Sequence, residues 1–448
     1  LGDKGDPQKR MDAKDFAEEA LSILLPLLIL FTGIMQLFMP WVMVVLAPGF
    51  QDNSDKFNLA VEFTRSTFPY LMLVSMVSLF GAMLSGLGKF AAAASAPILL
   101  NITLISSLVI FNETELATGA WLSRGVTFGG IVQLVWLGIV VHREGMSLDF
   151  LVPKITPRVR ELGIIMLPAA LGAGAVQLNL VIDIILASTL GDGSLSYLFY
   201  ADRLNQLPIG VIGVAVGSVL LPMMSRSLAE NNLEKANHDQ NRALETALLL
   251  TLPAAIALMI IPIPLISSLF ERGAFDAEAT LQTAMALMAY ALGLPAYVLI
   301  KVLTPGFFSR KDTKTPVKIA IGALILNTAL NLILMIPLKH VGLALATAIA
   351  AWVNVGFLYF ILRKRGHLQT DLQLIKNTGK ILLASIIMGA LLWALSNFIL
   401  PSLEEGTLSK IMEIGILVTT GLVFYGILVQ VFGIIQYSQL KELFKLRS

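Results

Sequence analysis

The sequence predicts an all-α polytopic membrane protein, and three observations carry that prediction. Of its 448 residues, 56% are hydrophobic and 14% charged, and the mean hydropathy is +0.79. A water-soluble domain of this size needs far more polar surface. Apolar runs of twenty residues or more recur from end to end, each long enough to cross a hydrocarbon core of ~30 Å. The remaining charges are sorted unevenly into the breaks between runs. Of 32 Lys and Arg, 24 fall on the side of the N-terminal tail, 5 on the opposite side, and Arg124, Arg203 and Lys301 lie within runs. Loops rich in Lys and Arg stay in the cytoplasm, so both termini are expected there.

Twelve spans follow in order from the breaks. The first, 16–47, leaves the charged tail and ends at the outer turn VVLAPGFQD; the second, 57–88, runs to the basic turn at Lys89. Spans at 92–112 and 117–142 close on VVHREG, and a basic linker at 143–160 leads to 159–190. The short turn LGDGS separates that span from 194–227, and the basic break at 226–242 precedes 241–270. Beyond SLFERGAFD come 278–308, 315–337 and 341–363, divided by the basic turn at 310–318 and a short outer turn. The basic stretch 363–380 precedes 377–400 and 409–436. Prolines 26, 40, 168, 208, 253 and 295 lie inside spans and predict tilt or kinks.

A faint internal repeat has an offset of 221–226 residues: Asn101 matches Asn327, Phe50 matches Phe275, and VVHREG matches ILRKRG. On this register spans one to four correspond to seven to ten. Partners for spans five and six would lie about 65 residues before Leu1. Two six-helix lobes in parallel repeat are expected, the first lacking its opening hairpin, with two further helices after them. The resulting boundaries are 1–145 for the incomplete first lobe, 146–158 for a linker, 159–366 for the second lobe and 367–448 for the last pair. The chain opens on the charged stretch LGDKGDPQKRMDAKD, without the apolar core of a signal peptide, and is expected to be a fragment or a processed chain.

The polar residues inside the spans are the candidates for chemistry. In SYLFYADRLNQLPIG, residues Ser196, Tyr200, Arg203, Gln206 and Gly210 share one helical face, with Asp202 about 100° away. Arg203 stands about 15 Å into the span by helical rise, and a guanidinium cannot shed its charge by deprotonation. The ordinary reading pairs it with a carboxylate on a neighbouring helix. The functional reading turns it into a cavity, where guanidinium grips phosphate bidentately. Pro208, Gly210, Gly213 and Gly217 add a bend and a smooth face. Lys301 lies close enough to the cytoplasmic turn for its stem to snorkel, which is its plainer reading; facing a substrate is the other. Arg124 sits near a helix end and reads as a surface charge.

Asn179 and Asp183 stand one turn apart in the fifth span, Asn327 and Asn331 in the ninth, and Thr347 lies in the tenth. Such oxygen-bearing groups hold a hard cation or relay a proton, and equally they clamp helices together by hydrogen bonds. Enzymatic constellations are missing. The four histidines lie in or beside loops, no Walker or other phosphate-binding glycine loop occurs, and no paired carboxylates lie within a span. Cysteine is absent, which excludes disulfides and thiolate centres. The basic loops are accounted for by topology, so no nucleic-acid partner is expected.

Read together, YADRLNQLPIGVIGVAVGSVLLPMMSRS, FERGAFD, KVLTPGFFSRKDTKTPVKIA and FPYLMLVSMVSLFGAMLSGLGKF resemble the MurJ (MviN) lipid II flippase family of the MOP exporter superfamily. The resemblance runs from the first span to about residue 366. It implies fourteen helices, of which twelve are here, and export of a lipid-linked peptidoglycan precursor by alternating access in the bacterial inner membrane. It further implies a cationic cavity matched to pyrophosphate, with Arg203 as the family arginine that this chain retains and Ser196 as a polar neighbour. Gln206 stands where family members carry Glu, which puts an ion-pair role there in doubt. The family's other cavity arginines belong to its first two helices, so the chain as given is not expected to flip lipid. Some members also hold sodium between helices equivalent to spans five, nine and ten, and Asp183, Asn327, Asn331 and Thr347 with the Leu343 carbonyl fit that site. Lipid II and membrane lipids are the partners implied, with other cell-wall synthesis proteins beside them.

Three rival readings make different demands. A MOP transporter of drugs needs an acidic cavity rather than Arg203, and one for another polyprenyl-linked oligosaccharide differs in its cavity charges. An intramembrane polyprenyl-phosphate transferase needs paired acidic residues and a metal at a membrane face. A non-transporting scaffold for cell-wall enzymes makes no demand on the cavity at all.

Overall fold

The computed structural model describes residues 7–111, 115–149, 151–230, 232–399 and 407–434, and these are helical almost throughout. Lys4 and the basic stretch 441–447 of the charge count lie outside them. Ten of the twelve expected spans coincide with a helix or with helices broken beside a proline, and the other two share one long helix. The first is α1 (Pro7–Leu37) and α2 (Met39–Leu46), parted at Phe38 beside Pro40. The second is α3 (Ser54–Thr67) and α4 (Pro69–Gly86), parted at Phe68. Next come α5 (Phe90–Ile110), α6 (Glu115–Arg143) and α7 (Pro157–Ser188). The sixth is α8 (Ser194–Pro208), a π-helical turn Ile209–Gly213, and α9 (Val214–Ala229).

The seventh span is α10 (Leu233–Ile260) with α11 (Pro262–Phe270), and the eighth is α12 (Ala277–Leu303) with the short α13 (Pro305–Phe308). These breaks go further than the tilts and kinks expected from the internal prolines. Each falls beside a proline, which lacks an N–H and crowds the preceding turn. Pro26, Pro253 and Pro295, by contrast, lie inside continuous helices.

Spans nine and ten run together as α14 (Lys314–Lys364), a single stretch of 51 residues. At 1.5 Å per residue it would extend roughly 76 Å, more than twice a hydrocarbon core. It folds back at Lys339, whose φ of 50° and ψ of −131° are non-helical. Gly342 permits the reversal, because a side chain there would fall on the backbone carbonyl of Leu334. α15 (Leu372–Ala394) and α16 (Thr407–Val431) complete the series. Among the described residues nine helices are long and apolar enough to cross a membrane, with α14 counted once. Large apolar side chains such as Leu30, Ile105, Ile336 and Val431 are exposed along them. Such an exterior suits lipid rather than water.

The chain forms two compact units, Leu1–Ile185 and Leu186–Ser448. In the first, α5 meets α6 closely over Gly125 and Gly129, where a Cβ would lie 2.6 Å from Ser107 Oγ and from Leu100 Cδ1 respectively. This is the small-residue spacing that lets membrane helices approach. Buried Gln133 seals the same bundle, donating to the Ala96 carbonyl at 2.7 Å. The linker is tied to α1: Asp149 N–H donates to Glu18 Oε1 at 2.9 Å, and Thr156 Oγ1 to Glu19 Oε2 at 2.6 Å.

The second unit is built around α12, the most buried of the long helices. Its small residues lie against those of α14, so closely that a Cβ on Gly293 would come within 2.9 Å of Ala348 Cα. α15 and α16 close on α10 through Ile381, Met388, Leu392, Leu417 and Tyr425. Arg242 of α10 binds both Glu245 and Asp371, joining the start of α15 to this unit.

Candidate functional site

α8 starts from Gly193, whose φ of 86° favours glycine. The Tyr197 ring occupies the space where a Cβ on Gly193 would lie. From there the helix divides into two sides. Leu198, Ala201, Leu204 and Asn205 are buried, whereas Ser196, Arg203, Gln206 and Gly210 are exposed and Tyr200 is half-buried. The face read from the sequence is therefore the open face of the helix.

The Arg203 guanidinium lies over the Phe199 ring one turn back, 4.7 Å from its centroid. Among the described residues no carboxylate lies within 4.0 Å of it. The aromatic face holds the cation without neutralising it. Tyr200, one turn before Arg203 on the same face, packs on Phe270 at 4.8 Å and edge-on to Phe275 at 5.2 Å. FERGAFD thus supplies a clamp that fixes the approach to Arg203. The same motif is tied down at Glu271, which accepts from Lys410 at 2.9 Å and from Thr280 at 2.9 Å. The Lys410 hydrogen bond holds the Glu271 carboxyl below its usual value.

Asp202 is half-buried and accepts a hydrogen bond from the Gln206 amide. An amide at 206 can donate to Asp202 where a carboxylate would repel it. The substitution that departs from the resembled pattern therefore has a local partner.

Lys301, exposed near the end of α12, has a packing neighbour across the helix pair. Its stem crosses to Gly213 at the end of the π turn, where a Cβ would meet Lys301 Cδ at 2.8 Å and Nζ at 3.1 Å. Sequence reasoning found both residues separately and missed that they meet. They are 88 positions apart, and only the packing of α8–α9 on α12 joins them.

The oxygen-bearing cluster divides between the two units. In the second unit four of its members converge across the two arms of α14. Asn331 Nδ2 donates to Asn327 Oδ1 at 3.1 Å, Asn327 Nδ2 to Thr347 Oγ1 at 3.2 Å, and Thr347 Oγ1 to the Leu343 carbonyl at 3.1 Å. Asn327, Asn331 and Leu343 are buried. In the first unit Asp183 accepts from Asn179 Nδ2 at 3.3 Å, and both are half-buried rather than fully enclosed. Among the described residues no three His, Cys, Asp or Glu side chains gather as a metal centre.

Comparison with known proteins gives this arrangement a context. The family model described as "Lipid II flippase MurJ" matches residues 3–413. A relative from Rhizobium tropici, named "Probable lipid II flippase MurJ", is 41% identical over 436 residues, covering 96% of this chain and 82% of its own. Among solved structures, "Lipid II flippase MurJ, inward closed conformation" superposes with a TM-score of 0.76 at 24% identity, covering 94% of this chain and 85% of that one. A multidrug resistance MATE family transporter of the MOP superfamily, in its inward-facing conformation, reaches 0.64 at 17% identity over 80% of this chain and 84% of its own. Those two likenesses show the fold. The family match and the Rhizobium relative show more: the chain belongs to the lipid II flippase MurJ family.

Proposed function

We propose that this protein carries lipid II across the bacterial cytoplasmic membrane, from the cytoplasmic to the periplasmic leaflet, by alternating access, and that Arg203 grips the pyrophosphate. The observation that carries the reading is the exposed guanidinium of Arg203, held on Phe199 without a carboxylate partner among the described residues. An uncompensated cation within a membrane span is costly and calls for an anionic visitor. Ser196 and Gln206, exposed on the same face, can donate to further phosphate oxygens. Asp202 positions Gln206 through their hydrogen bond, and Lys301 supplies a second cation. A drug exporter is disfavoured by this charge, and a transferase by the lack of gathered acidic groups among the described residues.

The N-terminal tail and the basic turns face the cytoplasm in this reading. Residues 1–145 form part of one lobe, 146–158 link it to a second at 159–366, and 367–448 line a groove for the lipid tail. The Asn327, Asn331, Thr347 and Leu343 cluster would hold sodium as coupling ion, a role for which the sequence offers Asp183 as a further candidate. The cluster's donors are neutral oxygens, a set suited to a hard monovalent cation. Bound sodium would supply a charge whose loading favours one state of the transport cycle.

Binding distinguishes the central reading. The purified protein should bind a polyprenyl pyrophosphate at least tenfold more tightly than the matching polyprenyl alcohol, a gap expected of one charge-assisted phosphate grip. Arg203→Ala should erase that preference. Equal binding of both lipids by the unaltered protein would rule the pyrophosphate grip out.

A further inference from the structure

We infer that Gly213 is a positioning residue for Lys301, and that together they form a second anion-binding point, for the carboxylates of the substrate's peptide stem. The inference rests on the lipid II reading and deepens it. Beyond its pyrophosphate, lipid II carries an amino sugar and a peptide stem with free carboxylates, so its negative charges are spread along the headgroup.

Four observations support the assignment. Directly after Pro208 the helix gives up α geometry for the π turn Ile209–Gly213. π turns inside helices are uncommon and concentrate at functional sites. The turn is pinned on α12, because Ile212 is buried in one cluster with Val298, Leu299 and Val302. Gly213 itself is buried, and the space its Cβ would fill holds the Lys301 stem: Cδ at 2.8 Å, Nζ at 3.1 Å and Cε at 3.4 Å. These are methylenes and an ammonium in the place of a side chain, so even alanine at 213 must displace the lysine.

Lys301 remains exposed despite that packing. It stands about 180° around α12 from the exposed apolar stripe of Leu281, Met288 and Leu292. The lysine therefore leaves α12 away from that stripe, on the side where the π turn packs. Among the described residues no carboxylate lies within 4.0 Å of its ammonium. Gly213 is ten positions beyond Arg203, roughly 15 Å along the helix. That separation suits two anionic groups of one extended headgroup better than two bonds to a single pyrophosphate.

Translocation by the protein in a form that carries the family's opening hairpin, measured in vesicles with two substrates, tests this: lipid II, and lipid II whose stem carboxylates are amidated. Lys301→Met should raise the half-saturating concentration for lipid II about fivefold more than that for the amidated lipid, as expected when one charge-assisted hydrogen bond to the stem is removed. Gly213→Ala should do the same. The double variant should be no worse than either alone, because both act on the same ammonium–carboxylate pairing. Lys301→Arg, which keeps the charge, should recover part of the affinity. Equal effects on both lipids, or losses that add in the double variant, would overturn the inference. Arg203→Ala should impair both substrates alike; if it impairs neither, the pyrophosphate reading fails, whatever the Lys301 variants do.

Discussion

Arg203 and its neighbours show how far one side chain depends on the next. The guanidinium rests on Phe199, Tyr200 is fixed by Phe270 and Phe275, and Asp202 is engaged by Gln206. Restoring a carboxylate at position 206 would set two acids one turn apart and remove the donor that Asp202 uses. Like charges at that spacing cost a few tenths of a kcal/mol at an exposed site and more where solvent is scarce. Gln206→Glu should therefore lower the thermal midpoint by a degree or more at neutral pH, with the deficit shrinking as the medium is acidified. A deficit independent of pH would mean that the Asp202–Gln206 bond is not what the substitution breaks. The glutamine was visible in the sequence as a departure from relatives. Its bond to Asp202 was not, since positions four apart bond only when both rotamers turn the same way.

Among the elements, α14 carries the clearest strain. Lys339 takes a backbone conformation (φ 50°, ψ −131°) that glycine adopts freely and lysine does not. Lys339→Gly should stabilise the fold-back by about 1 kcal/mol, seen as a rise in the thermal midpoint. Gly342→Ala should destabilise it, because the new methyl collides with the Leu334 backbone. Stability unchanged in both would show that the turn is not held as described. A second element-scale link joins α16 to the turn between α11 and α12 through Lys410 and Glu271. The folded Glu271 value is depressed by its Lys410 hydrogen bond. Its stabilising contribution is therefore complete above the ordinary value of 4.5 and is lost as pH falls through the depressed one. Lys410→Met should flatten that part of the acid unfolding profile while leaving the neutral and alkaline limbs in shape. The spans themselves were legible because twenty apolar residues admit few other structures. Their breaks were less so: Pro69, Pro262 and Pro305 part helices while Pro26, Pro253 and Pro295 do not. Position relative to the packed neighbours, not the residue alone, decides whether a missing N–H ends a helix.

At the scale of the whole molecule, the charge of the open α8 face and the oxygen cluster of α14 call for different tests. Adding sodium should raise the thermal midpoint of the unaltered protein, and Asp183→Asn should reduce that rise; no sodium response in the unaltered protein would leave the cluster as a hydrogen-bond clamp. Family membership was legible because four long motifs survive in one chain. The meeting of Lys301 with Gly213 was not, because it arises only when α8–α9 packs on α12. The central claim is transport through a pyrophosphate grip, and one measurement addresses it most directly: lipid II translocation in reconstituted vesicles by the protein in a form that carries the family's opening hairpin, with Arg203 unaltered, replaced by Ala or replaced by Lys, at equal abundance. Translocation is expected with Arg203 in place, none with Ala, and a partial return with Lys, which restores charge without the planar fork. Translocation by Arg203→Ala at the unaltered rate would contradict that claim.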